Sequence, residues 1–253
     1  MPTFEHAGQR INYEETGSGE PLLIMPGWGG TIDELMPLRQ ALSSSYRVIA
    51  ADVPGCGKSM PQPREYRPTF YQDDARSFLA MLKALNAAPA HVVGFSDGGE
   101  YGLVMAATEP SAVKSLATWG AAGTIPNLPH MADAISNLID APIPPMQEFS
   151  SYMKSAYGEA NARAMTNSFG QNLLVMMTEG SDISRSRAGS ISCPALLIAG
   201  ENDFFATPAL VSDMASAMPN AEYVEAKDAG HPIHHEQPEW LIATITDWLA
   251  NHT

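Results

Sequence analysis

The chain has 253 residues, 45% of them apolar, and a formal net charge of −14. That is room for one or two domains and apolar content enough for a large core. Phosphates and anionic lipid attract basic faces, so the charge balance speaks against nucleic acid and against a membrane surface as partners. Cys56 and Cys193 are the only cysteines and form neither a zinc spacing nor a disulfide framework, which suits a reducing, cytoplasmic setting. No apolar run approaches a membrane span. The first residues, Met1-Pro2-Thr3-Phe4-Glu5-His6, lack the basic-then-apolar order of a signal peptide.

Residues 3–6 and 10–15 read as two strands joined by Ala7-Gly8-Gln9. After the Gly17-Ser18-Gly19 turn, residues 21–25 are a continuous apolar run of the kind buried on both faces of a sheet. It ends in Pro26-Gly27-Trp28-Gly29-Gly30, after which Thr31 or Asp33 is placed to cap a helix through about residue 43. Residues 47–51 form the next buried strand and run into Asp52-Val53-Pro54-Gly55-Cys56-Gly57-Lys58-Ser59. The Gly55-x-Gly57 pair lacks the third glycine of a dinucleotide fingerprint. Met60-Pro61-Gln62-Pro63 also cannot open a helix, so that reading fails. A helix over about 68–86 follows, with Phe70, Phe78, Met81, Leu82 and Leu85 on its inner stripe.

His91-Val92-Val93-Gly94-Phe95-Ser96-Asp97-Gly98-Gly99-Glu100 then reads as strand, sharp turn and helix, with Ser96 at the turn. Gly94-x-Ser96-x-Gly98 is the G-x-S-x-G elbow, which lifts a serine hydroxyl above the edge of a sheet. Its glycines are a steric need, since a Cβ at either position would clash with the joined strand or helix. Glu109-Pro110 closes the helix, and residues 113–119 form another strand.

Between about 121 and 190 the alternation stops. Pro126, Pro129, Pro142, Pro144, Pro145, Gly158, Gly170 and Gly180 punctuate a stretch of helix formers that fits three or four short helices. Met131, Met146, Met153, Met165, Met176 and Met177 gather here. Methionines can simply pack helices, but as a group they suggest an adaptable lid over an apolar pocket. The rhythm resumes with a strand at 195–200, Glu201-Asn202-Asp203, a helix to about Met218 and a strand at 221–225. Ala229-Gly230-His231-Pro232 and a closing helix over about 238–250 end the chain. Short loops between alternating strands and helices imply one mainly parallel sheet with helices on both faces.

In such a sheet, function gathers beyond the carboxyl ends of the strands. The residues there are Trp28, Ser96, Asp203 and His231. Their types are those of acyl transfer: a serine needs a base, a histidine can shuttle the proton, and a carboxylate orients the histidine. Their order along the chain, Ser, Asp, His, also fits. Rival readings exist for each. Asp203 could cap a helix, Glu201 is a second acid, and His234 and His235 follow His231 closely. The Asp97 N–H at the head of the elbow helix and the Trp28 N–H are the expected donors to an oxyanion.

On these motifs the chain resembles the α/β-hydrolase superfamily over essentially its full length. In particular it resembles the small serine hydrolases with a helical cap. The loop at 26–30 is similar to the family's oxyanion loop, the turn at 52–59 to its D-x-P-G-x-G-x-S turn, and Glu236-Gln237-Pro238-Glu239 to the entry of its last helix. Pro26 departs from the histidine common there. Ser96-Asp97-Gly98-Gly99 with Trp119-Gly120-Ala121 resembles the biphenyl-hydrolase-like (valacyclovirase-like) branch, which implies aminoacyl esters, with the Asp97 carboxylate receiving the substrate ammonium.

The expectation is therefore an α/β-hydrolase fold with a mostly parallel eight-stranded sheet. Its core spans 1–120 and 191–253, and a helical cap at 121–190 is inserted after strand six. Ser96, Asp203 and His231 would cleave a small-molecule carboxylic ester through an acyl-enzyme, with no cofactor and no metal. Gly27, Trp28, Asp97, Trp119, Met153 and Met176 would line the substrate pocket. A C–C bond hydrolase, with Arg163, Arg185 or Arg187 supplying a basic pocket, is an alternative. So are a perhydrolase or cofactor-free haloperoxidase and a hydrolase-like ligand receptor. A monomer or a homodimer is expected.

Overall fold

The short apolar runs become strands because β-branched and aliphatic side chains pack well on a pleated surface covered from both sides. The computed structural model describes residues 2–252. Its strands are β1 (Thr3–His6), β2 (Gln9–Thr16), β3 (Glu20–Met25), β4 (Tyr46–Ala51), β5 (Ala90–Phe95), β6 (Val113–Trp119), β7 (Ala195–Gly200) and β8 (Ala221–Ala226). They form one sheet in the order β1-β2-β4-β3-β5-β6-β7-β8. β2 runs antiparallel to β1 and β4, and every other pairing is parallel.

The helices are α1 (Met36–Leu42), α2 (Phe70–Ala84), α3 (Asp97–Thr108), α4 (Pro129–Ser136), α5 (Gln147–Tyr157), α6 (Glu159–Thr178), α7 (Pro208–Ala217), α8 (Ile233–Glu236) and α9 (Pro238–Ala250). Alternation along each strand splits the core in two. Leu23 and Met25 join Phe78 and Leu82 of α2 and Leu103 of α3 on one face. Leu22 and Ile24 join Leu38 of α1 and Ile245 and Leu249 of α9 on the other. Each wholly buried aliphatic side chain contributes about 1.5–3 kcal/mol, so the two layers together fix the sheet. No helix among the described residues is long and apolar enough to cross a membrane.

Two local expectations need correction. Neither Thr31 nor Asp33 caps α1, which starts only at Met36 with no side-chain cap. The Ile32 N–H is instead taken by the buried Asp52 carboxylate at 2.9 Å, and the Glu34 N–H by the Thr31 carbonyl at 3.0 Å. The chain is thus held in a loop until Leu35. Gly170 does not interrupt a helix but lies inside the 20-residue α6. A Cβ there would sit 2.2 Å from Ser136 Oγ and 2.6 Å from the Ala132 carbonyl, so glycine is required for α4 to pack on α6. Helices α4, α5 and α6 all fall between β6 and β7.

Candidate active site

The turn after β5 places Ser96 at φ +50, ψ −119, a conformation that costs a non-glycine residue about 1–3 kcal/mol. Its surroundings hold it there. The Ser96 N–H donates to the Trp119 carbonyl and the Glu100 N–H to the Ser96 carbonyl, both at 2.9 Å. A Cβ on Gly94 would lie 2.3 Å from the Gly98 carbonyl, and one on Gly98 would lie 2.3 Å from the Met25 carbonyl. Only a chain without Cβ at both positions can turn this tightly.

The loops after β7 and β8 bring the two other residues to the serine. His231 Nε2 is 3.0 Å from Ser96 Oγ, and His231 Nδ1 is 2.7 Å from Asp203 Oδ2. Asp203 Oδ1 is already occupied by the N–H groups of Phe205 at 2.8 Å and Ala206 at 3.0 Å. The remaining oxygen can only accept, so the imidazole carries its proton on Nδ1. Nε2 then offers its lone pair to the serine hydroxyl. Ser96 and His231 are half-buried, while the Asp203 side chain is fully buried.

The rival residues face elsewhere. Glu201 is exposed and accepts from Lys227 Nζ at 3.3 Å and the Asp228 N–H at 2.9 Å. His234 bonds Trp119 and Glu34. Arg163 pairs with Asp140 and Glu159, Arg185 with Asp213, and Arg187 donates to Thr108 Oγ1.

Asp97 opens α3, so its N–H has no intrahelical acceptor. The loop after β3 comes close on the other side, where a Cβ on Gly27 would lie 3.2 Å from Ser96 Cβ. Among the described residues, neither the Asp97 nor the Trp28 amide has a backbone acceptor. Two amides without a backbone acceptor among the described residues thus belong to the two turns that meet at the serine.

The Asp97 side chain is buried. Its Oδ1 accepts from the Tyr71 hydroxyl at 2.7 Å, and its Oδ2 is buried with no partner among the described residues. Burial pushes this carboxyl up to about 7, although the Tyr71 hydroxyl and the Arg64 guanidinium pull it back. Trp28 donates its indole N–H to Tyr66 Oη at 2.9 Å and stacks on Phe169 of α6 at 4.3 Å.

The other expected pocket residues divide. Met153 of α5 packs over the same loop, its sulfur 2.8 Å from where a Cβ on Gly29 would be. Met176 is buried within α6 and takes a contact from Asn172 Nδ2. Trp119 does not line the cleft: it is fully buried behind Phe95, on the face of the sheet covered by α1 and α9.

Three further residues belong to the site without a clear mark in the sequence. Tyr71 has no local signal, because only the packing of α2 on α3 brings it to Asp97. Tyr157 ties α5 to the core, donating to the Gly29 carbonyl at 2.8 Å and accepting from the Gly57 N–H at 2.9 Å. Glu100 accepts from the N–H groups of Ala122 at 2.8 Å and Gly123 at 3.0 Å. A lone acid ahead of Tyr101-Gly102-Leu103-Val104-Met105, four residues past Ser96, is the one signal that could have flagged it.

Residues 20–141 match the α/β-hydrolase-fold family. The human serine hydrolase BPHL is 27% identical over 203 residues, which is 78% of this chain and 68% of that one. The enol-lactonase from Burkholderia xenovorans LB400 superposes with a TM-score of 0.77 at 25% identity, covering 98% of this chain and 100% of that one. A thermophilic esterase from Thermogutta terrifontis gives 0.78 at 20% identity over 99% and 97% of the two chains. The sheet, its order and these likenesses give the chain the α/β-hydrolase fold. Within that class it carries a resemblance to BPHL.

Proposed function

We propose that the chain is a serine hydrolase that cleaves carboxylic esters through an acyl-enzyme. The observation that carries this reading is the relay of Asp203, His231 and Ser96, with contacts of 2.7 and 3.0 Å, at a serine held in a strained turn. Ser96 Oγ attacks the acyl carbon while His231 Nε2 takes its proton. The oxyanion forms between the N–H groups of Trp28 and Asp97, where loss of one donor typically costs about 10²–10³ in rate. His231 returns the proton to the departing alcohol, and a water repeats the sequence on the acyl-enzyme. Asp203 holds the imidazole in the required tautomer.

Aminoacyl esters are the proposed substrates. A buried carboxylate oxygen with no partner among the described residues, one residue from the nucleophile, is costly unless something pairs with it. A substrate ammonium supplies that pairing and keeps the carboxyl ionised. The same reading makes 121–190 a cap over the core. The C–C hydrolase alternative lacks support, since Arg163, Arg185 and Arg187 bond residues away from Ser96.

The test is a panel of acetyl, butyryl, octanoyl and aminoacyl p-nitrophenyl esters, with the Ser96→Ala protein as control. Hydrolysis that depends on Ser96 and favours the aminoacyl esters is expected. Equal rates for the two proteins on every ester would end the proposal. A Ser96-dependent preference for neutral acyl groups would leave the esterase and remove the role of Asp97.

A further inference from the structure

Glu34, His234 and His235 form a second linked group beside the Ser96 relay. Glu34 follows the 26–30 loop, and His234 lies in the short helix α8 just after His231. Glu34 Oε1 is 3.1 Å from His234 Nε2 and 3.5 Å from His235 Nε2. On the far side of the His234 ring, Nδ1 accepts from the Trp119 indole N–H at 3.2 Å. One tautomer satisfies both contacts: neutral, with the proton on Nε2 donated to Glu34.

Three ligand-type atoms lie within 4.8 Å of one another here, and the chemistry of the set decides against an ion. A metal-bound imidazole gives its lone pair at one nitrogen and donates a proton from the other. With Nε2 on a metal, His234 would present an Nδ1 proton to the Trp119 N–H, donor against donor. The group is a hydrogen-bonded clamp. Burial holds His234 below its ordinary pKa against the pull of Glu34. Burial also works to raise the Glu34 carboxyl, but the hydrogen bonds with His234 and His235 outweigh it and keep it below the usual range.

The clamp touches both halves of the candidate active site. Glu34 Oε2 is buried without a partner among the described residues and lies 2.1 Å from where a Cβ on Gly30 would sit. The carboxylate is thus pressed against the loop that carries the Trp28 N–H. An unpaired buried polar atom is costly, a cost that an apolar residue at this position would avoid. The His234 ring packs on Phe95 at 4.4 Å. Phe95 immediately precedes Ser96 and also packs on His231 at 5.1 Å.

We propose that Glu34 is a positioning residue which, through His234, joins the loop after β3 to the loop after β8 and so fixes the Trp28 amide relative to His231. Its kinetic consequence rests on the ester-hydrolase reading, whereas the mechanical link between the loops does not.

The experiment uses the full chain with Glu34→Ala, Glu34→Gln and His234→Gln. Hydrogen exchange is followed in segments 26–34 and 229–236, and kinetics with p-nitrophenyl butyrate. Glu34→Ala is expected to speed exchange in both segments and to lower kcat roughly tenfold or more with KM nearly unchanged, as misplacement of reacting groups does. Glu34→Gln keeps a carbonyl acceptor for His234 and is expected to restore most of the protection and of kcat. His234→Gln breaks the link from its other end, covers the case in which Glu34→Ala does not fold, and should loosen 26–34, to which it does not belong. Exchange that rises only in the mutated residue's own segment would overturn the proposal. So would a Glu34→Gln protein as impaired as the Glu34→Ala protein, or a rise in Tm on adding zinc to wild type. If wild type shows no Ser96-dependent turnover, the ester reading falls, and the exchange data alone decide the link.

Discussion

The two walls of the candidate site are built by different physics. On the sheet side, Asp203, His231 and Ser96 are joined by directional hydrogen bonds, and the acid is pinned by two backbone amides. On the side of the 121–190 segment, rings predominate. Phe169 lies flat on Trp28 with an interplanar angle of 11°, Tyr66 meets Phe169 edge-on, and Phe149 leans on Trp28. Few polar ties cross there, among them Tyr157 to Gly29 and Gly57 and the Tyr66 N–H to Ser168 Oγ. Directional bonds hold atoms to the few tenths of an ångström that bond-making needs, whereas ring contacts slide at little cost. The sheet wall therefore suits chemistry, and the other wall suits access and selection.

The largest effect should come from the sheet wall. Ser96→Ala is expected to reduce kcat on the best ester by about 10⁶, as for a nucleophile acting with its base as a unit, with an unchanged circular dichroism spectrum. A loss below tenfold would break the division of labour at its root. The Asp97 side chain, although it lies on the sheet side beside Ser96, should act on selection. Charged hydrogen bonds contribute about 1.5–3 kcal/mol, so Asp97→Asn is expected to lower kcat/KM for aminoacyl esters about 10- to 100-fold while sparing neutral ones. Because burial pushes this carboxyl up to about 7, it loses its charge as pH falls through 7. The aminoacyl KM should then rise on the acid side while the neutral-ester KM does not. Equal pH profiles for the two ester types would remove Asp97 from the pocket.

The sheet wall is largely legible in the sequence, and the ring wall is not. Strand ends can be read from where an apolar run meets glycine, so Ser96, Asp203 and His231 can be placed at one edge despite lying 107 and 28 residues apart (203 − 96 and 231 − 203). Trp119 is misjudged by the same rule, because its position at a strand end says nothing of which face it takes. It shares a face with Val93 and Phe95 and lies in that core. Tyr71, Tyr157 and Phe169 meet the site only through the packing of α2 on α3 and of α5 and α6 over the sheet, for which no local pattern exists. Glu34 and His234 are 200 residues apart, and neither has a motif of its own.

Tyr157 gives a smaller test of the ring wall. Tyr157→Phe keeps the ring and removes both polar ties, leaving the buried Gly29 carbonyl and the half-buried Gly57 N–H without them. A loss of about 1–3 kcal/mol in urea unfolding is expected, with kcat on acetyl esters little changed. An equal fall in kcat would mean that the insertion also shapes the reacting geometry.

The last test concerns Glu100, which joins the two walls by holding the amides of Ala122 and Gly123 from the elbow helix. Burial pushes this carboxyl up to about 8, against the pull of those amides. Its ordinary value, and hence that of the unfolded chain, is 4.5. The folded state thus binds the proton more tightly than the unfolded state does. By linkage, the stability this group contributes is fully present below 4.5 and is lost as pH rises through about 8. Glu100→Gln cannot titrate, and it keeps a carbonyl acceptor for the same two amides. The Tm of wild type relative to the variant should therefore fall steadily from pH 5 to about pH 8 and level off above it. Asp97 titrates in the same sense in both proteins, so the difference between the two curves isolates Glu100. Parallel curves over that range would mean that Glu100 folds already charged, with the two amides offsetting its burial completely, and that the joint between the walls carries no proton.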